Sequence, residues 1–312
     1  MITSKRHPFK FYFPLLFGSF FFLALGVVML HLFFDQRDEG NTGLKTLLMP
    51  LFCVILFFLC FYTLRQYFKN TPKIRVDRKQ IFFGTDMYQL SDISKIKFNG
   101  KFPFKYLISF PMEGASIKFK NGNEKLIFND MYSNTWEIKL FLDSVISNKQ
   151  FQNKLDDKIS SEIIRFESFE FFKGLQITSF RGIMLWGFIG AILIPFFINS
   201  KTPPIGFFIF TVTFGAFWIA LNSWLMHFFG VSDKYLIVKN HNFFWRLKIY
   251  RLSNIKEVVY ESQGKQPNCL RIITNNYRNK LYPACTLRDK TWLELKKILE
   301  KKGVKVRNEC IF

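Results

Sequence analysis

The chain has 312 residues, of which 49% are hydrophobic, and its formal net charge at pH 7 is +21. Its 42 phenylalanines are concentrated in long runs without formal charges, which excludes a single soluble domain with an ordinary core. The basic residues are dispersed over the rest of the chain, which argues against a nucleic-acid-binding protein despite the high charge.

Four apolar runs have the length and composition of membrane spans. A hydrocarbon core of about 30 Å needs roughly 20 helical residues. The first run follows Lys5, Arg6 and Lys10 and has no small-residue cleavage site at its end, which favours an uncleaved span over a secretory signal. The third run is the shortest, and hydrophobic mismatch or the adjoining Asn199 can make up the difference. The predicted spans are residues 11–34, 47–64, 182–198 and 205–229.

The segment 70–149, after the second span, is predicted to form a small β-rich module. Its β-branched and aromatic residues come in short runs such as "IRV", "IFF" and "ISKIKF", which polar turn residues separate. Asn121 and Gly122 stand between two further runs and predict a β-hairpin. An amphipathic helix over residues 133–148 closes the module.

The linker 150–181 has two interpretations. Its "IIRFESFEFF" stretch is compatible with an amphipathic segment that lies along the inner membrane surface. It is equally compatible with the tail of the preceding helix followed by a packed connector.

The segment 230–312, after the fourth span, is predicted to form a second module. The expected strands are "YLIV", "NFFW", "KIYRL", "IKEVVY", "CLRIIT" and "NKLYPA". Thr286 and Asp289 predict a capping box at the start of a closing helix, and Gly303 suits its end. The apolar face of this helix is predicted to contain Trp292, Leu295, Ile298 and Leu299.

One stretch of the chain occurs twice. "MYQLSDISKI" at 87–96 is matched, 162 positions later, by "IYRLSNIKEV" at 249–258. Trp136 and Trp292 each follow a threonine near the start of a closing helix. Such long-range similarity predicts an internal duplication. The alignment at this constant offset runs from Ile74 with Leu236 to Phe98 with Tyr260.

Two spans followed by a β module with one C-terminal helix, present twice, resemble the bacterial pleckstrin-homology-like (PH-like) membrane proteins. The resemblance is carried by "VDRKQIFFGTDMYQLSDISKIKF", by "VKNHNFFWRLKIYRLSNIKEVVY" and by the two Trp-bearing helices, and it covers about 70–149 and 231–303. It implies a fold and a membrane location, but many members have no assigned activity, so it implies no ligand.

The expected fold is therefore an α+β membrane protein with four transmembrane helices in two hairpins, each hairpin followed by a small antiparallel PH-like barrel or sandwich with a C-terminal helix. The expected divisions are a tail and first hairpin (1–69), module 1 (70–149), a linker (150–181), a second hairpin (182–229) and module 2 (230–312).

Charge placement predicts the orientation. Residues 65–149 carry 15 Lys and Arg against 8 Asp and Glu, and residues 230–312 carry 18 against 7. The positive-inside rule then puts both termini and both modules on the cytoplasmic side of a bacterial inner membrane.

Nine side chains on the first strands and turns of the modules are candidates for contact with lipid or a protein partner. Near an anionic leaflet each Lys or Arg contributes on the order of 1 kcal/mol. Specific headgroup binding and general surface attraction are both left open. The candidates are Arg75, Arg78 and Lys79 in module 1, and Lys234, Lys239, His241, Arg246, Lys248 and Arg251 in module 2. The neighbouring Phe243, Phe244 and Trp245 form either a binding strip or, the favoured interpretation, part of the core.

Other chemistry has little support in the sequence. No histidine has a nucleophile or carboxylate at a catalytic spacing, and no metal-ligand spacing or phosphate loop occurs, so neither a metal nor a cofactor is expected. Cys285 precedes a predicted helix, where a reactive thiolate is favoured, but a small packed residue is the preferred interpretation. Spans one to three contain no ionisable residue except His31, which argues against an ion pathway.

We therefore expect a non-catalytic, membrane-anchored interaction or scaffold protein that presents two modules to the inner membrane surface or to a protein partner. The alternative is an accessory subunit of a transport or envelope-assembly complex, and the third possibility is a membrane enzyme. Anionic lipid headgroups and a protein are the expected partners, nucleic acid is not, and self-association is compatible with the sequence.

Overall fold

The computed structural model describes residues 1–41, 43–148, 159, 162–198, 204–262 and 267–311. The chain divides into two compact units, unit 1 (Met1–Asn153) and unit 2 (Lys154–Phe312). Each unit contains a pair of apolar helices, two small sheets and a further helix. The fold class is α+β, as the sequence predicts.

The two long helices of unit 1 are α1 (Tyr12–Asp38) and α2 (Leu44–Asn70). They pack closely at Gly26, where an added Cβ would lie 2.7 Å from the ring of Phe57. The Cys53 thiol lies 3.5 Å from the carbonyl oxygen of Gly26 and donates to it. Both helices are long and apolar enough to cross a membrane.

The first sheet of unit 1 is antiparallel, with the order β1-β2-β3-β4. The N-terminal residues, which precede the first helix, form its edge strand, and the backbone N–H of Ser4 donates to the carbonyl oxygen of Ile74 (2.7 Å). Its strands are β1 (Ile2–Thr3), β2 (Ile74–Val76), β3 (Gln80–Phe83) and β4 (Asp86–Gln89). The start of the chain is thus part of the folded unit.

The second sheet of unit 1 is built around its longest strand, β7, which pairs with the other three. Gly122 has a φ of +82°, a conformation that suits glycine, and confirms the predicted hairpin between β7 and β8. Helix α3 (Thr135–Ile146) buries Ile138 and Leu142 in the core of the unit. The strands are β5 (Ile93–Lys97), β6 (Lys101–Phe104), β7 (Phe110–Phe119) and β8 (Glu124–Phe128).

Unit 2 also has two apolar helices, α4 (Phe180–Ile198) and α5 (Ile205–Trp224). Among the described residues, α1, α2 and α5 are long and apolar enough to cross a membrane, whereas the apolar part of α4, Phe180–Ile194, is shorter. The length and composition of these three helices are compatible with a membrane protein.

The sequence predicts that the fourth apolar run is a helix up to residue 229, and this boundary is wrong. Helix α5 ends at Trp224, and His227–Val231 form a fully buried strand, β10. Near the end of the helix, the carbonyl oxygen of Ser223 accepts both the N–H of Met226 (3.1 Å) and the side-chain amide of Asn240 (2.7 Å). An apolar strand that is covered on both faces has the same composition as the end of a span, so the sequence does not separate them.

The first sheet of unit 2 is antiparallel, with the order β9-β10-β11-β12. The end of the predicted linker forms its edge strand and pairs with β10, which agrees with the packed connector and not with an amphipathic segment, while most of 149–161 lies outside the described residues. The remaining strands are β9 (Glu170–Phe172), β11 (Tyr235–Asn240) and β12 (Leu247–Arg251). The predicted strand "NFFW" is instead a loop between β11 and β12.

The second sheet of unit 2 has the order β15-β14-β13-β16, and only β16 is parallel to its neighbour. Helix α6 (Asp289–Lys301) covers the core with Trp292, whose ring lies 4.8 Å from the ring of Tyr260 and 5.7 Å from that of Phe229. The strands are β13 (Ile255–Glu261), β14 (Cys269–Thr274), β15 (Asn279–Pro283) and β16 (Val306–Asn308).

The predicted capping box of α6 is wrong. The helix begins at Asp289, which leaves Thr286 outside the capping position, and the residue at the cap, Arg288, makes no side-chain cap hydrogen bond. The other end is as predicted, because Gly303 has a φ of +78° and its N–H donates to the carbonyl oxygen of Glu300 (2.9 Å).

The first hairpin after each helix pair closes with the same turn. The N–H of Asp77 donates to the carbonyl oxygen of Gln80 (2.9 Å), and that of Ser232 donates to the carbonyl oxygen of Tyr235 (2.8 Å). In both turns the side-chain oxygen of the first residue, Asp77 or Ser232, accepts the backbone N–H groups two and three residues later. These positions correspond at an offset of 155, as between Asp77 and Ser232.

The offset changes to 162 after the first sheet, where Leu90–Asp92 and Leu252–Asn254 form matching single turns of 3₁₀ helix. Most of this change comes from the loop 241–246 between β11 and β12, since its counterpart between β3 and β4 consists of residues 84–85. The rest comes from β11 and β12, which are longer than β3 and β4. The predicted alignment of Ile74 with Leu236 is therefore wrong. Ile74 lies in β2, which corresponds to β10 in the strand order, whereas Leu236 lies in β11.

Candidate functional site

The candidate residues of unit 1 lie on the hairpin formed by β2 and β3. Arg75 is exposed on β2, with its guanidinium carbon 5.1 Å from the centre of the Phe82 ring. Arg78 and Lys79 are exposed in the turn. The pKa of Asp77 in the same turn is lowered, because the backbone N–H groups of Lys79 and Gln80 donate to its carboxylate. This turn is therefore an exposed, mixed-charge surface.

The candidate residues of unit 2 divide between the two ends of its first sheet. Lys234 and Arg251 lie at one end, where β11 pairs with β12 at Tyr235 and Arg251. Arg246 and Lys248 lie at the other end, beside the end of α5. The ammonium group of Lys239 lies 5.5 Å from the centre of the Phe171 ring.

His241 packs inward, with its ring 4.7 Å from the ring of Phe228. Burial lowers the pKa of His241 to about 4, and the charge of Lys173 lowers it further. The imidazole is therefore neutral at pH 7 and adds no positive charge to the surface.

A cavity of about 460 Å³ lies beside the end of α5, between the loop 241–246 and strands β12 and β15. We call it the α5 pocket. Its lining residues are Trp224, His227, Val238, Trp245, Arg246, Leu247, Lys248, Lys280, Leu281 and Tyr282. These residues include three permanent cations and no carboxylate.

The loop 241–246 is tied to the helix end by buried amides. The Asn240 side-chain oxygen accepts the N–H groups of Asn242 (3.0 Å) and Phe243 (2.9 Å). The Asn242 amide donates to the Ser223 hydroxyl (2.7 Å). Because both amides are anchored at Ser223, the position of the loop follows that of the helix end.

Aromatic rings hold the first pocket cation in place. The guanidinium carbon of Arg246 lies 4.8 Å from the centre of the Trp224 ring and 4.8 Å from that of Phe243. Stacking of this kind leaves the edge N–H groups of the guanidinium available to bind an oxyanion. The other two cations, Lys248 and Lys280, come from strands β12 and β15.

His227 lies against this cluster as a neutral side chain. Its Nδ1 is 2.9 Å from the carbonyl oxygen of Pro283, a contact that places the proton on Nδ1. Burial lowers the pKa of His227, and the charges of Arg246 and Lys280 also lower it, whereas the hydrogen bond to Pro283 raises it. The pocket charge at pH 7 therefore comes from the Arg and Lys side chains.

The rim of the α5 pocket is apolar and exposed. Phe244 is 80% exposed and Trp245 is 65% exposed, so the prediction that these two side chains belong to the core is wrong. Aromatic side chains with a polar edge concentrate at the level of lipid headgroups. Cations and aromatic rings thus lie together at the end of an apolar helix, a combination that can bind an anion.

Cys285 does not have the environment of a reactive thiol. Burial raises its pKa to about 11, and the charge of Arg181 lowers it by less. The side chain is therefore a protonated thiol at pH 7.

A scan against protein-family models, a search of curated proteins and a search of solved structures each find no match for this chain.

The predicted site residues do not include most of the residues that line the α5 pocket, among them Trp224, His227 and Lys280. The sequence places Trp224 and His227 in a membrane span, and Lys280 lies on a strand distant in sequence from Arg246 and Lys248. A tryptophan near the end of an apolar run is typical of the membrane–water interface, and this signal could have identified Trp224.

Proposed function

We propose that this protein is a membrane-anchored, non-catalytic binding protein and that its α5 pocket binds the phosphate of an anionic lipid headgroup. The observation that carries the proposal is the group of three cations, Arg246, Lys248 and Lys280, in an aromatic pocket at the end of a membrane-length helix.

The position of the pocket favours a lipid over a soluble anion. Trp224 is both the last residue of α5 and a lining residue, so the cavity begins where the apolar helix ends. The exposed Trp245 and Phe244 extend an apolar surface from the cations, which suits the glycerol and acyl portion of a lipid. Phosphate oxygens suit the planar guanidinium of Arg246 and the ammonium groups of the two lysines.

The architecture that we propose has four spans, with α4 as the third. Module 1 (70–149) and module 2 (230–312) then lie on the cytoplasmic side of a bacterial inner membrane, supported by the excess of Lys and Arg in 65–149 and 230–312. Both are PH-like modules that arose by duplication. Support comes from the matching strand orders β1-β2-β3-β4 and β9-β10-β11-β12, and from one covering helix in each unit.

The test measures retention of lipid by the full-length protein. Purified protein in a mild detergent is titrated with short-chain phosphatidylglycerol or phosphatidylcholine, and bound lipid is counted by native mass spectrometry. We expect preference for phosphatidylglycerol, and about 100-fold weaker binding when Arg246, Lys248 and Lys280 are all replaced by Gln, since each cation contributes about 1 kcal/mol or somewhat less.

A matched control replaces three exposed lysines of α6, Lys290, Lys297 and Lys301, by Gln, which changes the net charge of unit 2 equally. This variant should bind as the native protein does. Equal binding of both lipids by the native protein, or an equal loss in both variants, would show that the pocket does not recognise the headgroup.

A further inference from the structure

We infer that the tip between β6 and β7 of unit 1, residues 105–109, inserts its apolar side chains into the lipid layer beside α2. This β6–β7 tip follows Phe104 and precedes Phe110, and it is independent of the α5 pocket.

The tip is fixed to the side of α2. The Asn70 side-chain amide donates to the carbonyl oxygen of Lys105. One residue later, the Tyr106 hydroxyl lies 2.6 Å from the Thr63 hydroxyl. The Tyr106 ring lies 5.9 Å from the ring of Tyr62 and 6.0 Å from that of Tyr67.

These contacts give the direction of the tip. Asn70 is the last residue of α2, and Thr63 is about two turns earlier, roughly 10 Å along the helix axis. The Tyr106 side chain therefore extends along α2, from the end of the helix toward its apolar part. Arg65 follows directly after the apolar run 47–64, so the Tyr106 hydroxyl lies at the edge of the predicted hydrocarbon layer.

The next residues present a large apolar surface. Ile108 is 82% exposed and Leu107 is 54% exposed. Transfer of such side chains out of water is favourable. On the adjoining helix, Phe58 and Phe61 are also exposed, so the tip continues a surface that already belongs to a membrane-length helix.

The chemistry of the tip limits how deeply it enters. Backbone groups of an irregular loop cannot lie unpaired in the hydrocarbon core, so the backbone remains at the headgroup boundary. Leu107 and Ile108 then reach the upper acyl chains, Tyr106 lies in the interface, and Lys105 extends its ammonium group toward the headgroups. The expected partner is the lipid layer itself, whatever its headgroup charge.

The test places a photoreactive residue at the tip. Ile108 is replaced by p-benzoylphenylalanine in the full-length protein, which is reconstituted into phosphatidylcholine vesicles and irradiated. Asn121 receives the same replacement as the control, since it lies in the turn at the other end of β7, about 30 Å away for ten residues. Both sites are exposed, so the replacements leave the core unchanged.

The expected result is a mass increase of one phospholipid for the protein labelled at 108 and no such increase for the protein labelled at 121. The absence of a lipid adduct at 108, an equal adduct at both positions, or cross-linking of 108 to a second protein chain would each overturn the inference.

Discussion

Arg246 has a defined position because two rings hold its guanidinium group, whereas Lys248 and Lys280 each contribute an ammonium group to the pocket lining. The arginine is therefore expected to set the geometry of anion binding, and the lysines to add attraction. The sequence located Arg246 and Lys248 as candidates. It did not locate Lys280, because the arrangement of β12 and β15 around the cavity follows from tertiary folding and not from local pattern.

His241 makes the stability of unit 2 dependent on pH. Its pKa is about 4 in the folded protein and about 6.5 when unfolded, so the unfolded state binds more protons between these values. Its stabilising effect is complete above pH 6.5 and is lost as the pH falls toward 4. We expect the Tm of the native protein to decrease between pH 7.5 and pH 5.

The matched variant His241→Gln should show a smaller decrease in Tm over the same range, measured by circular dichroism. Part of the decrease should remain, because burial also lowers the pKa of His227. An identical pH dependence in both proteins would contradict the assignment of the buried neutral state to His241.

The elements that the sequence predicted best are those with a long, uniform pattern. Helices α1 and α2 coincide with apolar runs, and the Asn121–Gly122 turn joins two alternating strands. The boundary of α5 was wrong, because "HFFGV" in β10 is as apolar as the helix before it. At the helix end the Ser223 carbonyl oxygen accepts the side-chain amide of Asn240, a contact that only the folded sheet provides.

Helix α6 packs on unit 2 through Trp292, Leu295 and Leu299, all fully buried. The Trp292 ring lies against the rings of Phe229 and Tyr260. We predict that Trp292→Ala lowers the free energy of unfolding by about 3–5 kcal/mol, because the cavity cannot close around the missing ring. Thermal unfolding of the full-length protein in detergent, followed by circular dichroism, measures the change.

The comparison variant is Trp136→Ala on α3, where the tryptophan is only half-buried. It should cost about 1 kcal/mol. Equal losses in the two variants would show that Trp292 is no more important to its unit than Trp136 is to the other.

Across the whole chain, the same plan is present twice: an edge strand, a pair of apolar helices, two small sheets and a covering helix. The edge strands β1 and β9 precede their helices in sequence yet pair with the first strands after them, β2 and β10. Each helix pair is thus joined at both ends to one sheet. If the helices span the membrane, connectivity alone holds the β-rich part of each unit at the membrane surface. The α5 pocket and the β6–β7 tip then add contacts with lipid.

The most direct test of this account determines on which side of the membrane the β-rich part of each unit lies. Single cysteines are introduced by Asn41→Cys between α1 and α2, Asn121→Cys in unit 1 and Lys234→Cys in unit 2, all exposed positions. Bacterial spheroplasts that express each variant are treated with a membrane-impermeant maleimide, with the native protein as the baseline. The account predicts labelling of Asn41→Cys in intact spheroplasts and of the other two only after permeabilisation. Labelling of Asn121→Cys or Lys234→Cys in intact spheroplasts would contradict it.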